Sequence, residues 1–376
     1  MPSPGSGFIL HLVAASRWSG AAAPALDSVV ALRRDGWDAR LGYLGGNNLE
    51  KRLEGIPWAV PLLTKPRALW HVTDDIARLR EVFDRGCALV HCHMNTDHLY
   101  AAVALRRRRD IPLVRTFHHE SHARRDLLHR WAFRRATRFL AVTSSVERAL
   151  LPNLPPGIPR QVVHESVDPS RFSLRPRRTD LAASLSLPPA SFVVIHVGKV
   201  ERGRGQDLAI DVTSTLAGLG IDVALLLVGK GPALEATRKR AAERGIGDRV
   251  VFAGYREEDL PELYHLADAA IFPAPGSDRG HRMILESLAS GLPVVSLGVA
   301  GSEEIIRHGI NGYVTPPQDI VAAAEALAQI AREPGRRQKM SDAARKSVLE
   351  TFADPIIARG LGAIYEEIFA ATAIAK

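Results

Sequence analysis

The sequence predicts an α/β protein made of two Rossmann-like domains, each with a parallel sheet, and three observations carry that prediction. Short apolar runs alternate with longer amphipathic stretches along the chain, which is the rhythm of βα units. The apolar runs are rich in β-branched residues and almost unbroken, as strands are when both faces of a parallel sheet are covered. The chain has 376 residues, more than one hydrophobic core usually serves.

In the first half the expected strands are FILHLVAA, DARLGYL, ALVHCH, PLVRTF, RFLAV and RQVVHE, with helical patterns near 22–35, 74–85, 96–109, 122–136 and 144–151. In the second half they are SFVVIHVG, DVALLLVG, RVVFAG, AAIFP, PVVSL and GYV, with helices near 205–219, 232–244, 257–266, 282–290, 301–308, 318–332 and 335–351. Between the halves, FSLRPRRTDLAASLSLPPA is rich in Pro, Arg and Ser and reads as an interdomain connection. The expected organisation is a first domain over 1–174, a linker over 175–190 and a second domain over 191–354. Two such halves place a cleft between the carboxyl ends of two sheets, where α/β proteins hold their ligands.

No apolar run is long enough to span a bilayer. The start, MPSPGSGFILHLVAA, has no basic residue before its apolar stretch and reads as a buried first strand rather than a signal peptide. Cys87 and Cys92 are the only cysteines, which fits a reducing cytosol. Charge is uneven. Residues 1–180 hold 28 Lys and Arg against 17 Asp and Glu, a net of +11, whereas residues 181–376 hold 21 against 24, a net of −3. The basic half fits an anionic partner, whether a membrane surface, a phosphate-bearing acceptor or nucleic acid, set against the plainer reading of a solvated Arg-rich surface.

Four segments carry candidate chemistry. In PAPGSDRGHRMILESLASGLPV, Asp278 and Glu286 stand with seven residues between them. The first is in the loop after a strand and the second is on the following helix, among apolar neighbours. An exposed pair would cap and solvate that helix. A buried Glu286 needs donors, and the two hydroxyls of a ribose are suitable ones. In VGKVERGRGQDLAI a strand ends at Gly198, and Lys199 and Arg204 precede a helix starting near Gln206. Cations beside a helix N-terminus make an anion site; the alternative is a solvated basic loop. In LLLVGKGPALE, Gly229 and Gly231 follow a strand, a signal that also marks an ordinary tight turn. Finally, seven of the fourteen histidines lie between His91 and His129, a concentration that fits a polar cleft face. His91 and His93 point to one side of a strand, but no third ligand has convincing spacing, so metal ligation is discounted. No G-x-G-x-x-G follows the first strand, which disfavours a nicotinamide-dependent dehydrogenase.

The segment around Glu286 resembles the E-x7-E region of glycosyltransferase family 4, whose usual form is P-S-x-x-E-G-F-G-x-x-x-L-E-A-M-A-x-G-x-P-V. That resemblance implies a GT-B fold and a retaining, metal-independent transfer from a nucleoside-diphosphate sugar to an acceptor hydroxyl, with the leaving phosphate taking the proton. It places Glu286 on the nucleotide ribose and Asp278 on the transferred sugar, with Gly280, His281 and Arg282 in the surrounding donor pocket. Aspartate stands here where the family has glutamate, and Arg279 and His281 replace glycines; Gly276, Ser277, Asp278 and Arg282 match branches with G-S-D-G-x-x-R-x-x-x-E. The family's G-R-x-x-x-x-K-G puts Lys199 in the arginine slot and Arg204 in the lysine slot, after Gly198, both against the diphosphate.

RVVFAGYREEDLPELYHLADAAIFP matches the family's f-x-G-x-x-x-x-x-d-l-x-x-x-y-x-x-A-D unit, which with Gly229 flanks the base and makes Tyr255 and Arg256 base-contact candidates. VAGSEEIIRHGINGYV matches g-G-x-x-E-i-i-x-x-g-x-n-G-x-l-v, with Gly301 opening a helix toward phosphate and Glu303 and Glu304 capping it. PLVRTFHHE matches a strand ending T-x-H, which places His118, beside His119, at the sugar or acceptor side. VHESVDPSRF matches n-G-V-D-x-x-x-F as a landmark. Near the start, Gly20 keeps one of the family's paired glycines, and a last helix at about 355–376 should return to the first domain.

The expectation is therefore a cytoplasmic transferase with no cofactor or metal. Its partners are a nucleoside-diphosphate sugar and a hydroxyl acceptor (glycan, lipid-linked or small molecule). The inner face of a membrane is a further surface partner, and no nucleic acid is expected. The competing readings are a nucleotide-sugar epimerase or sugar phosphorylase on the same fold, or a homologue that binds without catalysing.

Overall fold

The computed structural model describes residues 7–16, 22–65, 69–124, 126–189, 191–274 and 281–374. The chain divides into two compact units, one of residues up to Ser166 together with the helix Asp354–Ile374, the other of the residues between. Among the described residues, no helix is long and apolar enough to cross a membrane.

The first unit is built on a seven-stranded parallel sheet. Its strands are β1 (Phe8–Val13), β2 (Ala39–Leu44), β3 (Ala59–Leu63), β4 (Cys87–Cys92), β5 (Leu113–Phe117), β6 (Arg138–Ala141) and β7 (Arg160–Val162), in the order β3-β2-β1-β4-β5-β6-β7. All six residues of β1 are buried. Ile9 and Val13 pack into the cluster on one face and Phe8, Leu10 and Leu12 into the cluster on the other, which is why the run shows no polar alternation. The sequence pattern missed β3, AVPLL. It is an edge strand paired only with β2, where the missing N–H of Pro61 breaks no inner ladder. The final helix packs on the helix Ala22–Arg34 of this unit, burying Tyr365 and Ile368.

The second unit has six parallel strands, β8 (Phe192–Val197), β9 (Val223–Val228), β10 (Val250–Gly254), β11 (Ala269–Phe272), β12 (Val294–Ser296) and β13 (Gly312–Val314), in the order β10-β9-β8-β11-β12-β13. The order reverses between β8 and β11, and in the first sheet between β1 and β4. These are the switch points at whose carboxyl ends α/β folds open a crevice.

Residues 175–189, of the linker expected over 175–190, do not form a free connection. They carry a short helix, Thr179–Ser184, and Leu181 and Leu187 join the core cluster of Val193 and Ile195 in the second unit. Arg345 fastens the preceding stretch by donating to the carbonyls of Pro169 and Phe172 at 2.8 and 2.7 Å. The Arg and Pro content that reads as a linker conceals two leucines at core spacing.

Candidate functional site

The switch point of the second sheet collects most of the expected binding residues. β8 ends into the loop carrying Gly198, Lys199 and Arg204, and the helix Gln206–Gly218 begins directly after it. Gly205 caps this helix at φ +87°, and a Cβ there would lie 2.6 Å from Pro273 Cγ. Glycine therefore lets the helix N-terminus lie against the end of β11. Gly229 works the same way: a Cβ would stand 1.8 Å from the Gly198 carbonyl oxygen, and its amide donates to Gly254 at 2.8 Å. The Gly198 amide in turn donates to Val228 at 2.9 Å. The glycines after β8 and β9 thus join two loops at van der Waals limits, a packing role that spacing alone does not separate from ligand contact.

Lys199 and Arg204 converge on one carboxylate. Glu201 Oε2 lies 2.9 Å from Lys199 Nζ and 3.7 Å from Arg204 Nε. The residue types that suggest an anion site therefore come with an internal anion, which the motif reading passed over.

Glu286 lies on the helix Arg282–Ala289 with 6% exposure. Its Oε1 accepts from Arg282 Nε at 2.8 Å, one helical turn earlier, and its Oε2 accepts from the Tyr264 hydroxyl at 2.9 Å. Tyr264 is completely buried, and burial together with the Glu286 charge holds its phenol well above the usual range. Arg282 and Glu286, expected from one motif, form one ion pair. The third member was missed, although it occupies the y position of the ELYHLAD segment.

His281 caps the same helix at φ +59°, ψ +41°, in the left-handed region where a glycine usually sits. Its Nε2 donates to the Ala300 carbonyl at 3.0 Å and its ring meets Phe272 edge-on. It ties the loop after β12 to the end of β11 rather than presenting a polar edge to solvent. Tyr255 is 52% exposed, donates to Glu257 Oε2 at 2.8 Å and lies under Lys230 Nζ. Arg256 is committed to both oxygens of Asp259. Gly301 opens a three-residue 3-10 turn, Ser302–Glu304, and not the helix expected over 301–308; its amide donates to Glu303 at 2.9 Å. Gly20, Asp278 and Gly280 lie outside the described residues.

In the first unit, His118 follows β5 and is 4% exposed. It belongs to a buried chain of six hydrogen bonds. Thr116 Oγ1 meets His91 Nε2 at 2.7 Å, His91 Nδ1 meets the Tyr365 hydroxyl at 2.6 Å, and that hydroxyl meets His11 Nε2 at 3.1 Å. His11 Nδ1 then meets His93 Nε2, His93 Nδ1 meets His118 Nε2, and His118 Nδ1 meets Glu165 Oε1, each at 3.0 Å. Burial pushes His11 down to about 3 and holds His91 and His93 well below the usual imidazole range, so these three are neutral at pH 7. With His11, His91 and His93 neutral, an arrangement in which each histidine carries its hydrogen on Nδ1 satisfies all six links.

His11, His91 and His93 also bring ligand atoms within 4.8 Å of one another, a set able to hold a metal ion. His11, the third histidine that spacing did not supply, comes from β1, paired in register with His91. In the hydrogen-bonded chain these nitrogens already bond to one another and to Tyr365 and Thr116. His119 is turned away from the chain, its Nδ1 accepting from the Ser121 amide at 3.0 Å. Asp97, at the switch point of this sheet, accepts from the Ala14 and Met94 amides, and burial raises its carboxyl to about 7 against the opposing pull of Arg115.

Comparison with known proteins follows these geometries. Residues 177–347 match the family model for glycosyl transferases group 1, and residues 18–171 match the model for glycosyltransferase family 4. The lipopolysaccharide core biosynthesis mannosyltransferase LpsB of Rhizobium meliloti (strain 1021) is 27% identical over 292 residues, covering 76% of this chain and 80% of that protein. The 2-deoxystreptamine glucosyltransferase of Streptomyces kanamyceticus is 30% identical over 209 residues, covering 54% of this chain and only 51% of its own length. Among solved structures, Anabaena HepE in complex with UDP superimposes with a TM-score of 0.83 at 20% identity over 96% of this chain and all of that one. A glycosyltransferase from Rickettsia africae gives 0.82 at 18% identity, over 96% and 98% of the two chains. These structural likenesses establish the GT-B fold.

Proposed function

The chain belongs to glycosyltransferase family 4, and we propose that it moves a sugar from a nucleoside-diphosphate donor to an acceptor hydroxyl with retention of anomeric configuration and without a metal ion. The observation that carries the reading is Glu286, a buried carboxylate held by Arg282 and Tyr264 beside the switch point of the second sheet. Two of its acceptor positions are taken, which leaves others for the two hydroxyls of a ribose. The helix N-terminus at Gln206, with Lys199 and Arg204 before it, supplies the positive end for a diphosphate. Binding of UDP by HepE and the sugar-transferring activities of the relatives named above support a nucleotide-sugar donor.

In this reading the bond from the anomeric carbon to the β-phosphate oxygen breaks while a bond to the acceptor oxygen forms on the same face. The acceptor proton passes to the departing phosphate. Lys199 and Arg204 offset the charge that builds on that phosphate, the kind of electrostatic stabilisation that often dominates catalysis. Asp278 would stand at the sugar. His118 would stand on the acceptor side, its two ring nitrogens hydrogen-bonded to Glu165 and His93. The named relatives transfer sugars, which favours transfer over epimerisation or phosphorolysis.

Glu286→Ala and Lys199→Ala should each remove most transfer from a labelled donor while the protein stays folded, and a chelator should leave the rate unchanged. Near-normal turnover in both variants would sink the assignment.

A further inference from the structure

We infer that the helix Leu127–Phe133 and its arginines form a docking face for an anionic lipid surface. The helix is apolar on both sides, unlike an ordinary surface helix. Its inner side buries His129, Ala132 and Phe133, yet its outer side also carries large apolar groups: Leu127 is 83% exposed, Leu128 53% and Trp131 38%. At spacings of three and four residues these three side chains adjoin on one helix face. Arg130 and Arg134, one turn apart, flank them and are exposed. Neither takes part in any ion pair among the described residues. The carboxylate within this turn, Asp126, is committed to capping, accepting from the His129 amide at 3.0 Å and from its Nδ1 at 2.8 Å.

A second basic element is fastened to this helix. The Arg135 guanidinium donates to the carbonyls of Leu105, Arg108 and Ile111, which fixes the Arg106–Arg109 turn beside the helix end. Arg106, Arg107 and Arg109 are exposed in that turn. Two leucines and a tryptophan flanked by Arg130 and Arg134, with a further arginine turn beside the helix end, match an interface in which apolar groups enter the acyl boundary and guanidinium groups meet phosphates. Charge complementarity selects the occupant. The face sits in the half of the chain with the +11 balance, and anionic lipid surfaces attract such clusters. A second copy of the chain would bring the same arginines into opposition. Three apolar side chains also fall short of the roughly 800 Å² per partner that a stable protein pair buries.

This inference is independent of the transfer chemistry, and co-sedimentation of the whole chain with vesicles tests it. The protein should pellet with vesicles of phosphatidylcholine mixed with phosphatidylglycerol and not with phosphatidylcholine alone, and added sodium chloride should release it. The triple variant Leu127→Ser/Leu128→Ser/Trp131→Ser and the double variant Arg130→Glu/Arg134→Glu should each cut binding about tenfold or more. Both should keep the parent circular dichroism spectrum, since the changed groups are exposed. The control Lys239→Glu/Lys346→Glu makes the same charge change on the second unit, at two exposed lysines, and should bind like the parent. Equal binding to both vesicle types overturns the inference, as do patch variants that bind like the parent or a control that loses as much. A parent that fails to bind vesicles and instead dimerises through the leucines overturns it too.

Discussion

The Tyr264 hydroxyl donates to Glu286 Oε2 at 2.9 Å from a side chain with no solvent exposure. The bond joins the short helix before β11 to the helix after it, so the carboxylate that should meet the ribose is aimed by a residue outside its own motif. Tyr264→Phe keeps the ring and deletes the donor. Leaving a buried charged acceptor short of a partner costs about 1–3 kcal/mol. The variant should lose stability of that order in urea titrations and, on the proposed reading, bind a nucleoside diphosphate such as UDP more weakly. An unchanged unfolding midpoint with unchanged UDP affinity would show that the bond does not position Glu286.

Glu201 competes with any anion for Lys199 and Arg204, since its Oε2 sits 2.9 Å from the lysine. The pair is half exposed, so its strength is modest, about 1 kcal/mol at most. On the proposed reading, Glu201→Gln should therefore tighten binding of a nucleoside diphosphate, with UDP as the probe, up to about fivefold in calorimetry, with the gain shrinking as salt is added. Weaker binding in Glu201→Gln would mean that the carboxylate orients the cations rather than competing with ligand.

These two relationships mark where the sequence was legible and where it was not. The strands of both sheets were visible because burial on two faces leaves unbroken apolar runs such as VALLLV. β3 was hidden because Pro61 interrupts its pattern and its edge position demands little hydrophobicity. Glu286 was visible because an acid among apolar neighbours is anomalous within a single helix. Tyr264, Glu201 and Glu165 were not, because their roles arise from partners brought close by folding. Tyr264 and Glu286 are 22 positions apart, and His118 and Glu165 are 47 apart. The histidine chain shows the same limit: the concentration at 91–129 was plain, but His11 and Tyr365, which link its two halves, come from opposite ends of the sequence.

His281 holds a left-handed backbone and a buried ring at once, so substitutions there should separate the two contributions. His281→Ala removes the bond to Ala300 and keeps a Cβ in the strained region. His281→Gly removes the bond and the strain together. A left-handed conformation costs an ordinary residue about 1–2 kcal/mol. Both variants should be less stable than the parent, with the glycine form above the alanine form by about 1 kcal/mol. If the alanine form equals or exceeds the glycine form in denaturant stability, the strain is not there.

Stability should fall as the solution is acidified below neutrality, and the buried histidines set the window. Burial lowers His11 and His98 to about 3 and His196 to about 4, and holds His91 and His93 well below the ordinary value. In the unfolded chain each titrates near 6.5, so below that pH the unfolded state gains protons the folded state refuses. Each such histidine withdraws about 1.4 kcal/mol of stability per pH unit until the folded value is reached. Asp97 works in the opposite sense. Its folded value of about 7 lies above the unfolded one, so the folded state takes up a proton first as pH falls from 7 toward 4 and offsets about one histidine. Five groups against one leave a net loss, steepest between about pH 6 and pH 4. Urea titrations at stepped pH should show the midpoint dropping across that range. His98→Gln, which removes one titrating ring near the Ala132 carbonyl, should flatten the slope by about one proton. A midpoint independent of pH from 7 to 5 would mean that the histidines are charged, or already solvated, in the folded protein.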